Sequence, residues 1–211
     1  MQIAGMQPRI GIPPVLGMLL SISMGMRASE MSRASMTILV FDYVGIDHET
    51  LRKTEDEADN IFRQAGVRVA WQLCLSAAKP SAAECPEVGP LTPALRLVSH
   101  LQLVPDQVRT DTVGYSTSDV MTVSWEQTKK LAQSGAGPET LILGLIVAHE
   151  FGHLLLGKSH SISGIMQAQW NYHDWGLAHK RWLLFLPQQA TVMRKQLRTR
   201  GETLAAANST H

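Results

Sequence analysis

The chain has 211 residues, of which 45% are hydrophobic and 18% are charged, with a formal net charge of +1. This apolar content is too high for a disordered chain, and the length suits one domain with a buried core. The balance of 19 basic against 18 acidic residues gives no sign of the basic patch that nucleic-acid binding requires, so we expect no nucleic-acid partner.

The first thirty residues have the pattern of a leader. Seven of the ten methionines lie within residues 1–36, and an apolar run over residues 10–26 lies between Arg9 and Arg27. A basic residue followed by an apolar stretch too short for a membrane span is typical of a secretory signal peptide. We therefore interpret residues 1–30 as a signal peptide or N-terminal leader. We expect an exported protein, periplasmic or secreted, or a membrane-anchored one where the leader is not cleaved; a misassigned start is the other alternative.

The chain after the leader begins with a β-α-β pattern. Residues 36–46 are rich in β-branched and aromatic side chains, as in a buried strand. Asp47 is a suitable N-cap for a helix over residues 48–65, and Gly66 is a suitable residue for its end. Residues 67–73 then alternate between apolar and mostly polar side chains, which predicts a half-buried strand.

The only two cysteines, Cys74 and Cys85, lie eleven residues apart across a stretch rich in proline, alanine and serine. In an exported protein this pattern predicts a disulfide that closes a loop, worth about 3 kcal/mol by the chain-entropy model. Two unpaired thiols in a cytosolic protein are the alternative. A zinc-binding pair is disfavoured, because such cysteines are usually two to four residues apart.

The second half of the chain is mainly helical in pattern. Further strands are predicted over residues 95–103 and near residues 120–123. Ser124 fits a capping box that opens a helix to about Gln133. Residues 140–156 are apolar nearly all round, which predicts a buried helix.

Two C-terminal helices are predicted beyond this buried helix, over residues 174–184 and 187–200. We find no internal repeat and no interdomain linker, and therefore predict one domain over residues 31–203 and a frayed tail over residues 204–211. The basic residues of the last helix are expected on a solvated face, and three tryptophans are expected in the core of this region: Trp170, Trp175 and Trp182.

The buried helix contains the motif H-E-x-x-H, formed by His149, Glu150 and His153. Residues four apart share one helix face, so the two imidazoles can bind one ion, and Glu150 lies about 100° around the axis. Zinc lowers the pKa of bound water from about 15.7 to about 7, and a neighbouring carboxylate can accept the proton. An accidental motif is the alternative, but burying these polar groups without partners would cost several kcal/mol.

The segment from His149 to Met166, HEFGHLLLGKSHSISGIM, resembles the active-site segment of metzincin zinc peptidases. Their pattern is H-E-x-x-H-x-x-G-x-x-H, followed by a methionine turn. The resemblance implies that Gly157 breaks the helix, that His160 is the third zinc ligand and that Met166 is the turn methionine. The segment is also similar to that of small exported bacterial proteins with H-E-x-x-H-L-L-L-G and H-S-x-x-G-I-M, whose function is inferred from the motif.

The resemblance implies an α+β, zincin-like single domain with a small mixed β-sheet, a buried active-site helix and C-terminal helices. It also implies a zinc-dependent metalloendopeptidase that acts on a peptide or protein substrate. Zn²⁺ would be held by His149, His153 and His160, and Glu150 would be the general base.

One departure from the family pattern is a longer interval after His149. Gly157 follows it by eight residues and His160 by eleven, one more than in metzincins, so the extra residue lies within residues 154–156. The alternative ligands are therefore the later side chains His173, Asp174 and His179. Tyr172 could reach an oxyanion, but it is expected to pack or to lie on the surface.

The departure also motivates a second functional hypothesis. The chain could be an exported, non-catalytic zinc-binding or envelope module, whose metal site is structural or vestigial. A structural site of this kind predicts four protein ligands and no exchangeable water.

Overall fold

The computed structural model of the chain describes residues 34–77, 84–102 and 112–209. The leader predicted for residues 1–30 lies outside these ranges. Within them the strands are β1 (Ser35–Asp42), β2 (Arg68–Ser76), β3 (Ala94–Val98), β4 (Gly114–Thr117) and β5 (Val120–Ser124). The helices are α1 (His48–Gln64), α2 (Trp125–Gln133), α3 (Glu139–Leu156), α4 (Tyr172–His179) and α5 (Pro187–Asn208).

The five strands form one mixed sheet in the order β2-β1-β3-β5-β4. β1 is parallel to β2 and β3, and β3 is parallel to β5, whereas β4 is antiparallel to β5. Ile38, Leu39 and Val40 of β1 are all buried, as expected for a central strand covered on both faces. β4, the last strand in this order, forms one edge of the sheet and contacts α3.

Local capping sets the ends of the first helices, as the sequence predicts. The Asp47 carboxylate accepts a hydrogen bond from the Thr50 N–H at 3.0 Å, and Gly66 follows α1 with a φ of +72°. The Ser124 hydroxyl accepts from the Gln127 N–H at 3.3 Å at the start of α2. The predictions of α1 and α2 are thereby confirmed.

The structure differs from the predicted strands at β3 and β4. β3 ends at Val98, and the chain leaves the sheet there because the Ser99 carbonyl accepts from the Ser124 hydroxyl (3.0 Å) and from the Glu126 N–H (3.3 Å). β4 was not predicted from the sequence. Its four residues, GYST, are short and only partly buried, so they carry no clear apolar alternation.

The observed bounds of the two C-terminal helices also differ from the predicted ones. α4 begins at Tyr172, because Asn171 and Asp174 form a reciprocal capping box, and the chain turns at Arg181, whose φ is +59°. α5 continues to Asn208, beyond the predicted end near residue 200. Its arginines are not simply solvated, since Arg194 donates to the Ala65 carbonyl at 2.7 Å and Arg200 to the Leu154 carbonyl at 2.7 Å.

The apolar helix α3 lies in the core of the domain. By length and composition it could span a membrane, but 72% of it is buried inside the fold, as in the core helix of a globular domain. It contacts α1, α2, α5, β4 and β5. The prediction of a buried central helix is confirmed.

Gly144 permits the close crossing of α3 with α1. A β-carbon at this position would lie 2.8 Å from the Glu57 β-carbon, 3.0 Å from the Thr54 carbonyl oxygen and 3.2 Å from the Ala58 nitrogen. Two of these atoms belong to the α1 backbone and cannot move by a side-chain rotation. The crossing that places α3 therefore requires glycine at residue 144.

We predict that Gly144→Ala lowers the free energy of unfolding by about 1–2 kcal/mol. Overpacking typically costs about 1–3 kcal/mol, and the better helix propensity of alanine offsets about 1 kcal/mol of this. Gly176→Ala in α4 is the matched control, because a β-carbon there meets no atom within 4 Å. Urea unfolding followed by circular dichroism should show a lower free energy of unfolding than the parent for Gly144→Ala only. Equal free energies of unfolding for the parent and this variant would contradict the close crossing.

Candidate metal centre

The motif histidines lie one turn apart near the end of α3. Their Nε2 atoms are 3.1 Å apart, and their ring centroids are 4.7 Å apart. His149 Nδ1 lies 2.8 Å from the Ile165 carbonyl oxygen, and His153 Nδ1 lies 2.8 Å from the Gly157 carbonyl oxygen. A carbonyl only accepts, so each Nδ1 carries a hydrogen, and the Nε2 atoms of the two rings face each other.

His160 completes a group of three imidazoles. Its ring centroid lies 5.4 Å from that of His149 and 4.8 Å from that of His153, and the ligand atoms of all three lie within 4.8 Å of one another. The other two rings are more buried, whereas His160 is exposed. The structure therefore brings together all three histidines of the predicted set.

The turn after α3 accommodates the additional residue. α3 continues to Leu156, and Gly157 follows with a φ of +86°, a conformation that favours glycine. The loop beyond His160 is closed by a hydrogen bond from the Ser161 N–H to the Met166 carbonyl at 2.8 Å. The residues between His153 and Gly157 thus remain helical, and the chain after the glycine turn brings His160 back to the motif.

The spacing of the His149–His153 pair fits a bound zinc ion, with His160 within reach as the third ligand. In a tetrahedral site with Zn–N distances of about 2.0–2.1 Å, two ligand nitrogens lie about 3.3 Å apart, close to the 3.1 Å found here. Two unprotonated nitrogens at this distance would repel each other, so the pair needs a cation, either a proton or a metal ion. A cation would therefore stabilise the arrangement that the two backbone carbonyls impose on His149 and His153.

The protonation of the group also suits metal binding. Burial and, to a smaller extent, the neighbouring imidazoles lower the pKa of His149 to about 4, against the opposing effect of the hydrogen bond to Ile165. Burial, together with His153, lowers the pKa of His160. Both imidazoles are consequently neutral at pH 7, the form that binds metal.

Glu150 is buried on the β4 side of α3. The Ser116 hydroxyl lies 2.7 Å from its Oε2 and 2.8 Å from its backbone carbonyl oxygen. Gly114, two residues earlier on the same face of β4, packs on the carboxyl group so closely that a β-carbon would lie 3.0 Å from Oε1. Burial raises the pKa of Glu150 to about 7, and the Ser116 hydrogen bond opposes this rise.

Met166 is fully buried beneath the motif. Its sulfur packs directly on Gly152, where any β-carbon would overlap it and would lie 2.8 Å from the Phe185 ring. Gly152 lies between the two motif histidines in sequence. The methionine therefore contacts α3 between the two motif histidines, and its role as a turn methionine stays a prediction.

The alternative ligands lie elsewhere. His173 and His179 line a cleft of about 590 Å³ together with Tyr172, which is 95% exposed. Asp174 is buried, and it accepts hydrogen bonds from the Asn171 N–H and the Gln167 side chain. In the described part of the chain none of these three residues joins the histidine group.

The remaining predicted residues are placed as follows. Cys74 and Cys85 are joined in a disulfide, with their α-carbons 5.7 Å apart. Trp170 and Trp175 pack against the core. The prediction of a core position is wrong for Trp182, which is 65% exposed after the turn that ends α4.

Sequence reasoning missed the residues that support the site. Ser116 hydrogen-bonds to Glu150, from which it is separated by 34 positions in the sequence. The Ile165 carbonyl hydrogen-bonds to His149, 16 positions away. The Ile165 contact uses a backbone atom, which carries no residue-type signal. The serine is a common residue on an unpredicted strand, so no motif could have identified it.

No protein-family model and no curated protein sequence matches the chain. Among solved structures, the chain is similar to archaemetzincin from Methanopyrus kandleri, with a TM-score of 0.51 and 12% identity over 78% of this chain and 97% of that one. A zinc-dependent peptidase from Methanocorpusculum labreanum gives a TM-score of 0.46 and 12% identity over 77% and 99% of the two chains. The first similarity is one of fold, and it confirms the predicted zincin-like α+β class.

We predict that His160→Ala weakens zinc binding more than about a hundredfold. This loss exceeds the about 10–100-fold effect of residues that only support a ligand. His173→Ala removes an exposed imidazole outside the group and should bind zinc like the parent protein. Competition with a chromophoric chelator measures both affinities; equal affinity of the His160 variant would show that the third ligand lies elsewhere.

Proposed function

We propose that this protein is a zinc-dependent metallopeptidase that hydrolyses internal peptide bonds of peptide or protein substrates. The observation that carries the proposal is the convergence of His149, His153 and His160, two of which present Nε2 because a carbonyl holds their Nδ1 hydrogen. The similarity of fold to archaemetzincin supports it. A buried glutamate next to the first ligand supplies the acid–base group such chemistry needs.

The three histidines would hold Zn²⁺ through neutral imidazoles. Bound zinc would supply Lewis acidity, which lowers the pKa of water and polarises a carbonyl. In the described residues the group contains no fourth histidine, cysteine or carboxylate ligand. Three ligands leave one tetrahedral position for water and substrate, as in catalytic rather than structural zinc sites.

Glu150 would accept a proton at its carboxylate and deliver it to the leaving amine. The Ser116 hydroxyl suits both states of this group, because a hydroxyl donates as well as accepts. To the ionised carboxylate, Ser116 donates at Oε2. When Oε2 is protonated, it can donate to the hydroxyl, whose own hydrogen then points to the Glu150 backbone carbonyl 2.8 Å away.

The edge strand β4 favours an extended peptide as the substrate. Within the described residues, β4 is the last strand of the sheet and pairs only with β5. An extended chain can add to such an edge through backbone hydrogen bonds. The same strand holds Glu150 through Ser116, so a peptide along β4 would run beside the general base.

An exported location is part of the proposal. The joined cysteines, Cys74 and Cys85, support it, because disulfides persist in oxidising compartments. The leader pattern of residues 1–30 supports it as well.

We predict that Glu150→Gln retains zinc and lowers the turnover of an internally quenched peptide library at least about a hundredfold. The amide keeps the shape of the side chain, but it cannot accept the proton. Glu139→Gln, on the first turn of the same helix, is the control and should cleave like the parent. Zinc content is measured by atomic emission. Cleavage by the Glu150 variant at the parent rate would refute the mechanism.

A parent protein that binds zinc tightly but cleaves no library peptide would instead favour the non-catalytic module. That hypothesis further predicts a fourth protein ligand, detectable by X-ray absorption at the zinc edge.

We predict that Ser116→Ala lowers kcat about ten- to a hundredfold, because the carboxyl group of Glu150 loses the hydrogen bond that fixes its position. Zinc affinity should stay at the parent value, since the described hydrogen bonds of the Ser116 hydroxyl go to Glu150 and to none of the three histidines. Ser134→Ala removes a hydroxyl that only caps α2, so its kcat should not change. Equal kcat values for both variants would contradict a role for Ser116 in orienting Glu150.

A further inference from the structure

The Ile165 carbonyl oxygen receives two hydrogen bonds. One comes from His149 Nδ1–H at 2.8 Å, and the other comes from the indole Nε1–H of Trp170 at 3.1 Å. A carbonyl has two lone pairs, so both donors can be accommodated together. Among the described hydrogen bonds, Trp170 is therefore the only side chain besides His149 that donates to this buried oxygen.

The Trp170 ring is itself held in place on two sides. Its centroid lies 5.8 Å from that of His149, with the rings edge to face at 84°, and 5.3 Å from that of Trp175 at 88°. Ile165 is also fixed through its other backbone group, since its N–H donates to the Leu184 carbonyl at 2.9 Å. The indole thus contacts both the acceptor and the imidazole that the acceptor orients.

We propose that Trp170 is a positioning residue for the metal ligand His149, acting through the Ile165 carbonyl to which its indole N–H is hydrogen-bonded. Groups that accept from the second nitrogen of a ligating histidine fix its tautomer and ring orientation, and their loss weakens metal binding about 10–100-fold. The proposal rests on the zinc site of the proposed function.

The test compares Trp170→Phe with Trp175→Phe. The first variant keeps an aromatic ring against His149 but removes the indole N–H. The second keeps a ring against Trp170 and removes an indole that has no described hydrogen bond to the Ile165 carbonyl. We expect the zinc Kd, measured by chelator competition, to rise about tenfold in the first variant, the lower end of the range for supporting groups. The control should stay within about twofold. The cobalt-substituted Trp170 variant should also show a shifted visible spectrum.

The outcomes separate this inference from the proposed function. Absence of zinc binding in the parent protein would refute the zinc site and with it the role of Trp170. Tight binding by the parent and an equal Kd for both phenylalanine variants would refute the role of Trp170 alone. Thermal unfolding of the metal-free variants checks that any difference in Kd does not follow a difference in stability.

A measurement on the parent protein covers the case in which Trp170→Phe does not fold. With ¹⁵N-labelled tryptophan, the indole signal of Trp170 should move when zinc is removed with a chelator, and its hydrogen exchange should quicken. Trp182, which is 65% exposed, is the internal control and should not respond. Equal responses of the two signals would overturn the proposal.

Discussion

The site depends on one constraint, which is that an apolar helix carries a histidine pair and a carboxylic acid into the folded domain. Each polar atom there must find a partner, and other segments of the chain supply these partners. The Ile165 and Gly157 carbonyls accept from the two imidazoles, and Ser116 bonds to Glu150. These hydrogen bonds do not use the two Nε2 atoms, so the same contacts that permit burial also leave these nitrogens available to a metal.

The glycine turn explains how the longer interval still yields three converging histidines. An extra helical residue rotates the following chain by about 100°, which would direct it away from the motif. The helix ends before that rotation continues, because Gly157 follows Leu156 with a positive φ, and the Gly157 carbonyl at the same time accepts from His153. The residue that ends the helix thus also orients a ligand, and the loop that carries His160 is closed on the Met166 carbonyl.

Sequence alone predicted those features that local patterns determine. The caps at Asp47 and Ser124 and the buried α3 follow from residues within one or two turns, and the H-E-x-x-H spacing follows from helix geometry. Contacts between distant segments could not be predicted in this way. Ser116 lies on an edge strand, and the sequence predicts only a core position for Trp170. Their hydrogen bonds to Glu150 and to the Ile165 carbonyl form only when the fold brings these distant segments together.

The C-terminal helix connects the two sides of the centre. Arg200 donates to the carbonyl of Leu154, the residue after His153, and its guanidinium lies 3.5 Å from the carboxylate of Asp119, in the turn between β4 and β5. One side chain thus joins the end of the ligand-bearing helix to the hairpin whose strand holds Glu150. A guanidinium suits this role, because it offers several donors in a fixed plane. The placement of β4 beside α3, and with it the contact of Ser116 with Glu150, therefore depends in part on α5, although α5 contributes no group to the centre itself.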